Sequence, residues 1–130
     1  SGLINAESSD VTIRNCKFEG IFSVDKASFL VVSGGSLALI NSSISRFNAT
    51  ALDVMSADIV AMEGCLFEYG YCNSNCVGLI QDTKIVKVLQ STIRHNQALS
   101  DVGGLYFLEQ IGSDSALELS NTTFWNNTAE

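Results

Sequence analysis

The chain has 130 residues, of which 46% are hydrophobic, and its formal net charge is −7 at pH 7. One domain of this length, residues 1–130, can bury a core, so the composition excludes a disordered segment. With 7 Lys and Arg residues against 14 Asp and Glu, no basic stripe is available for phosphates. Nucleic acid and anionic membranes are therefore excluded as partners, and neutral or cationic partners are expected.

The first ten residues, SGLINAESSD, lack the basic and apolar regions of a signal peptide. No later run approaches the roughly 18 apolar residues that are needed to cross a bilayer. We therefore predict no direct membrane insertion, and we expect either a mature chain or a segment of a longer one.

One pattern occurs five times along the chain, centred on anchor positions that recur every 23 to 31 residues. In chain order the anchors are Asn15, Asn41, Gly64, Gln90 and Asn121. Four positions before them stand Val11, Leu37, Val60, Val86 and Leu117, and two before stand Ile13, Leu39, Met62, Val88 and Leu119. One position after stand Cys16, Ser42, Cys65, Ser91 and Thr122, and three after stand Phe18, Ile44, Phe67, Ile93 and Phe124. A looser apolar strand precedes each later anchor, in SFLVV, ALDV, VGLI and GGLYF.

Alternation of apolar and polar residues over four or five positions indicates strands that place every second side chain in a core. A repeat of this length with two or three short strands is typical of a right-handed parallel β-helix, here of about five coils, with like positions about 4.8 Å apart. A leucine-rich repeat would need a fixed Leu/Asn consensus that the chain lacks. An antiparallel sandwich would not repeat the same residue class at the same position.

The anchor column is predicted to lie at a sharp bend, with side-chain amides that point inward and bond along the helix axis. The column one position after the anchors contains small residues, and it is predicted to face inward. It places Cys16 and Cys65 two coils apart, about 9.6 Å, which is too far for a disulfide. We therefore predict that both are buried free thiols.

The segment CNSNC holds the other two cysteines, and a short-loop disulfide between Cys72 and Cys76 is the connectivity that we favour. A zinc site is less favoured, because there is no second CxxC motif and the single His95 lies far along the chain. No metal and no cofactor is expected.

Four Asn-x-Ser/Thr sequons begin at Asn41, Asn48, Asn121 and Asn126. Asn41 and Asn121 belong to the anchor column, which is predicted to face inward. The glycosylation candidates are therefore Asn48 and Asn126.

The segments GGLYF and FWNN suggest a family. They resemble the paired GGA[ILV] and FxxN motifs in the passenger domains of chlamydial polymorphic outer-membrane proteins, and more broadly the pectin-lyase-like β-helix proteins. Phe124-Trp-Asn-Asn127 fits FxxN, and Ile93-Arg-His-Asn96 fits with Ile in place of Phe. The resemblance implies a secreted or surface-displayed, largely non-enzymatic adhesin or structural stalk.

Catalysis is the main alternative, because β-helix proteins include enzymes that cleave polysaccharides. The Asn-Thr-Asp, Asp-Asp, Gly-His-Gly and Arg-x-Lys motifs of polygalacturonase-like enzymes are absent from the sequence. The acids Asp53, Asp58, Asp82 and Asp101 fall in separate turns, as on a solvated face. We therefore predict no catalytic residues, and we keep a polysaccharide-cleaving enzyme fragment or a scaffold subunit of a larger assembly as alternatives.

An outward column just after the Phe/Ile positions is the candidate ligand site. Stacking of successive coils is predicted to bring Tyr69, Arg94, His95 and Trp125 onto one strip. Exposed aromatic rings beside hydrogen-bond donors are typical of sugar-binding surfaces, although a mixed surface at a turn has the same composition.

These observations predict an extracellular or cell-surface structural or adhesive module, with carbohydrate as a possible ligand. No cap is recognisable at either end, so we expect a protein partner or flanking β-helix coils at both ends.

Overall fold

A computed structural model of the chain describes residues 2–22, 28–108 and 114–130. Within these ranges it contains seventeen short strands, and no helix long and apolar enough to span a membrane. In chain order the strands are β1 (Gly2–Glu7), β2 (Asp10–Arg14), β3 (Lys17–Ile21), β4 (Ser28–Ser33), β5 (Ser36–Ile40), β6 (Ser43–Phe47), β7 (Leu52–Met55), β8 (Ile59–Glu63), β9 (Leu66–Cys72), β10 (Gly78–Gln81), β11 (Ile85–Leu89), β12 (Thr92–Arg94), β13 (Gln97–Ala98), β14 (Leu105–Leu108), β15 (Ala116–Ser120), β16 (Thr123–Trp125) and β17 (Thr128–Ala129).

The strands stack in parallel into three faces of a β-helix. Face A contains β1, β4, β7, β10 and β14, and face B contains β2, β5, β8, β11 and β15. Face C contains β3, β6, β9, β12 and β16, and it is continued by β13 and β17. Each coil crosses the three faces in turn, so the parallel β-helix of about five coils is confirmed.

The predicted register is confirmed on all five coils. On face C, parallel pairing stacks the predicted column, one residue per coil. Its members are Phe18, Ile44, Phe67, Ile93 and Phe124. The corresponding columns of face B are also aligned. Because the side-chain period of a strand is two, a shift by one residue would have turned these columns outward.

The core is best covered in the middle coils. Leu39, Met62 and Val88 are 2%, 0% and 0% exposed, whereas Leu119, in the same column of the last described coil, is 49% exposed. Stacking explains the difference, because a coil buries its apolar side chains only when neighbours lie on both sides.

The anchors lie at the bend between faces B and C, and all five have left-handed backbone angles. Their φ values are 55° for Asn15, 48° for Asn41, 64° for Gly64, 49° for Gln90 and 48° for Asn121. Gly and Asn tolerate this region best, which accounts for their frequency here.

The prediction that the anchor amides face inward and bond along the helix axis is wrong. Asn41 and Asn121 are exposed, and no hydrogen bond between anchor side chains occurs in the described part of the chain. The left-handed bend turns these side chains outward. Asn41 lies over Gly64, where a side chain would clash with its Oδ1 atom.

The small column after the anchors faces inward and ties adjacent coils together. Ser42 Oγ accepts a hydrogen bond from the Cys16 backbone N–H at 3.1 Å, and Ser91 Oγ accepts one from the Cys65 N–H at 3.1 Å. Both serines also donate to the carbonyl two residues earlier, at 2.9 and 2.8 Å. A small hydroxyl residue therefore satisfies backbone groups at the bend, where the strand ladder is interrupted.

The cysteines are found in two different states. Cys72 and Cys76 form a disulfide, and both are buried. Cys65 is a buried free thiol whose Sγ donates to the Leu39 carbonyl at 3.2 Å, and burial raises the pKa of this thiol. Cys16 is also free, but it is only half-buried, so the prediction of burial is wrong for this residue. It lies in the first described coil, which has a neighbouring coil on one side.

Candidate functional site

The candidate ligand site lies along a second left-handed bend, within face C. The residues at this bend form the column Gly20, Arg46, Tyr69, His95 and Asn126, with φ between 51° and 71°. A left-handed residue interrupts the in-out alternation of the strand, so the side chains of this column project from the same ridge. The spacing between coils, about 4.8 Å, then brings rings on successive coils into contact.

Three of the four predicted site residues form one aromatic strip, which we define as Tyr69, His95 and Trp125. The rings of Tyr69 and His95 are stacked, with centroids 5.3 Å apart and planes at 4°. His95 meets Trp125 edge-on, with centroids 4.6 Å apart and planes at 71°. Tyr69 is 52% exposed and Trp125 is 58% exposed. The strip therefore presents apolar ring surface to solvent over three successive coils.

Arg94, the fourth predicted residue, is next to the strip and held by an ion pair. Its Nε and Nη2 atoms lie 2.8 and 2.7 Å from Glu68 Oε2, and the two residues are register partners on adjacent coils. The pair leaves guanidinium donors and a carboxylate oxygen beside the rings. The sequence analysis did not assign Glu68 to the site. Glu68 lies in the same column as Arg94, one coil earlier, and carries the opposite charge.

Asn126 extends the polar border of the strip. Its Nδ2 atom lies 3.0 Å from His95 Nδ1, so the amide and the imidazole hold each other in place. Asn126 is exposed at the bend. It was predicted as a glycosylation candidate, and the structure places it at the border of the aromatic strip.

The other glycosylation candidate, Asn48, is half-buried beside the disulfide loop. It lines a depression of about 240 Å³ together with Thr50, Tyr71 and Asn73. The hydroxyl of its sequon, on Thr50, donates to the Asn75 carbonyl at 2.6 Å. Use of either sequon stays a prediction.

Two interior asparagines support the bend that carries the strip. Asn96 is fully buried; its Nδ2 donates to the Phe67 carbonyl at 3.2 Å and to Asn127 Oδ1 at 2.9 Å, and its Oδ1 accepts from the Gly70 N–H at 2.9 Å. Asn127 repeats the arrangement one coil later, with Nδ2 donating to the Ile93 carbonyl at 2.7 Å. These are the Asn residues of the two FxxN segments. Asn96 directly follows His95 of the strip, and Asn127 directly follows Asn126 at the bend. The hydrogen bonds of these two amides therefore hold the strip in place from the inner side of the bend.

The described acids are dispersed and do not form a metal centre. Asp58 pairs with Lys84 at 2.6 Å, where both side chains are exposed and the pair contributes little to stability. Among the residues that the structure describes, no three His, Cys, Asp or Glu side chains lie close enough together to hold a metal ion.

The chain matches a family of known β-helix proteins. The family model described as "Right handed beta helix region" matches residues 1–130. No curated protein and no solved structure matches the chain. The handedness predicted from the repeat is that of the matched family, whereas the narrower resemblance to polymorphic outer-membrane proteins stays a prediction.

Proposed function

Because this chain belongs to the right-handed β-helix family, we propose that it is a non-enzymatic structural and adhesive module, outside the cell or on its surface, that binds neutral carbohydrate. The observation that carries the proposal is the aromatic strip. Tyr69, His95 and Trp125 expose ring surface over three coils, with hydrogen-bonding groups of Arg94 and Asn126 at its border.

The chemistry of the strip supports a sugar ligand. Pyranose rings have apolar faces that pack on exposed aromatic rings, and hydroxyl edges that need donors and acceptors at the border. The Arg94–Glu68 pair supplies both kinds of group. A net charge of −7 disfavours anionic polysaccharides, so neutral glycans are the expected class.

Replacement of Tyr69 by alanine is expected to weaken oligosaccharide binding by about fivefold or more, because a ring that stacks on the sugar contributes about 1 kcal/mol. Trp125 is the single tryptophan of the chain, so its emission reports on the site directly. Titration of the protein with chitotetraose, cellotetraose and maltotetraose would measure the effect. Tyr71→Ala, which removes an exposed ring outside the strip, is the matched control. If no oligosaccharide alters the Trp125 emission, or if both variants bind equally, the strip is not a sugar site.

We propose also that additional coils or a protein partner cover the last described coil. In this coil the core residues Leu117, Leu119 and Phe124 are 48%, 49% and 43% exposed. Exposed apolar side chains next to unpaired strand edges promote association.

We therefore expect residues 1–130 to self-associate, and Leu119→Lys to lower the association constant by about tenfold, because it places a charge in the exposed column. Sedimentation velocity over a concentration series would measure this, with thermal unfolding as a check of folding. Ile59→Lys, at an exposed apolar position on the outside of face B, is the control. A monomer with a cooperative transition at all concentrations would show that this coil needs no cover.

A further inference from the structure

A second surface, formed by face A and the loops at its edge, has the features of a binding site. A groove of about 540 Å³ lies on the outside of face A. Leu79, Tyr106 and Leu108 lie along the sheet side of the groove, and Asn75, Ser100 and Asp101 come from loops. Leu79 and Tyr106 are register partners on β10 and β14, so stacking brings them together.

The two loops of the groove belong to adjacent coils and are tied to each other. One is the disulfide loop that contains Asn75, and the other joins β13 to β14. Ser100 Oγ lies 2.7 Å from the Asn73 carbonyl oxygen and 3.3 Å from Asp101 Oδ2. The loop wall is therefore held in place before any ligand binds.

The groove is acidic, and one polar atom at its wall has no hydrogen-bond partner among the described residues. Asn75 is 8% exposed, and its Oδ1 atom is buried with no hydrogen-bond partner in the described part of the chain. Asp101 adds an exposed carboxylate, and Asp53 lies next to Leu79 on the neighbouring strand.

These groups define the ligand by charge and shape. No Lys or Arg lines the groove among the described residues, and the whole chain carries a net charge of −7. Leu79, Leu108 and the Tyr106 ring suit a chain of methylenes, and the ring face attracts a cation. The carboxylate of Asp101 adds an attraction for a cation that a neutral sugar would not gain.

We propose that this groove binds a lysine or arginine side chain that a partner protein presents. The aliphatic stem lies over Leu79 and Tyr106, and the cationic nitrogen donates to the exposed carboxylate of Asp101. This site is independent of the carbohydrate strip, so either can fail without the other.

The test is an NMR titration of the ¹⁵N-labelled chain with the capped tripeptides Gly-Lys-Gly and Gly-Arg-Gly. We expect saturable shifts at the amides of residues 100, 101 and 106. Asp101→Asn and Tyr106→Ala should each weaken binding by about fivefold or more. Glu118→Gln, which removes one exposed charge from face B, is the matched control and should bind as the wild type does.

Three results would overturn the proposal. Equal binding of the tripeptide with norleucine in place of lysine would show that the groove recognises only an apolar stem. Equal weakening by Glu118→Gln would show nonspecific attraction to an acidic protein. Shifts of the same amides by maltotetraose, but not by the cationic peptides, would assign the groove to sugar.

Discussion

Replacement of Phe67 by alanine is expected to lower the free energy of unfolding by about 3–5 kcal/mol, the range for a large aromatic side chain removed from a core. Phe67 is 2% exposed and lies between two register partners, Ile44 and Ile93, which are 3% and 0% exposed. Both partners are β-branched residues on strands fixed by ladders on each side. They cannot move into the space, so a cavity remains and the full penalty applies.

The same column supplies the control for this prediction. Phe124 occupies the equivalent position in the last described coil, but it is 43% exposed. Phe124→Ala should therefore cost less than half as much as Phe67→Ala. Urea unfolding followed by circular dichroism would measure both, with equal m-values as a check that the transition is the same. Similar losses for the two variants would mean that burial by neighbouring coils does not determine the stability of this column.

The fold could be predicted in detail because a β-helix repeats residue classes at fixed positions. Every coil places the same backbone position in the same environment, so the columns through Ile44 and Leu39 are visible as periodicity alone. The strands of face A were also predicted from SFLVV, ALDV, VGLI and GGLYF, and they correspond to β4, β7, β10 and β14. In both cases the period of two fixes the register once one face is buried.

The amide ladder was predicted in the wrong column for an identifiable reason. Asparagine suits a left-handed bend, as at Asn41, and it also satisfies buried backbone groups, as at Asn96. Composition does not distinguish these uses. The position relative to the aromatic column does, because a residue directly before a small inward residue is at the bend, whereas the Asn of FxxN follows a bend and faces the core.

The aromatic strip was predictable from the sequence, and the groove was not. Tyr69 and His95 occupy equivalent positions in adjacent repeats, so counting from the anchors brings them together. Asn75 and Asp101 lie in loops of different length that interrupt the repeat. Their position at the same groove depends on how those loops fold, which includes the disulfide and the Ser100 hydrogen bonds. Counting positions from the anchors therefore cannot predict that Asn75 and Asp101 lie at one groove.

Replacement of Asn96 by alanine is the second change that we expect to be large, at about 3 kcal/mol of unfolding free energy. It leaves the buried Gly70 N–H unpaired, at about 1–3 kcal/mol, and removes a further hydrogen bond to the Phe67 carbonyl, at about 0.5–1.5 kcal/mol. Asn127→Ala, at a half-buried position in the next coil, should cost less.

An Asn96→Asp variant separates hydrogen bonding from volume. The introduced carboxyl would be buried beside the Phe67 carbonyl and Asn127 Oδ1, two acceptors, so its folded-state pKa should lie above the unfolded value of about 3.9. The variant is then least destabilised below about pH 4, and it loses stability as the pH rises through the folded-state pKa. Urea unfolding at pH 4 and pH 7 measures this difference. The same variant should disturb the Trp125 emission, because Asn96 follows His95 directly and holds the bend beneath the strip. A destabilisation that does not depend on pH would show that the amide acts by packing alone.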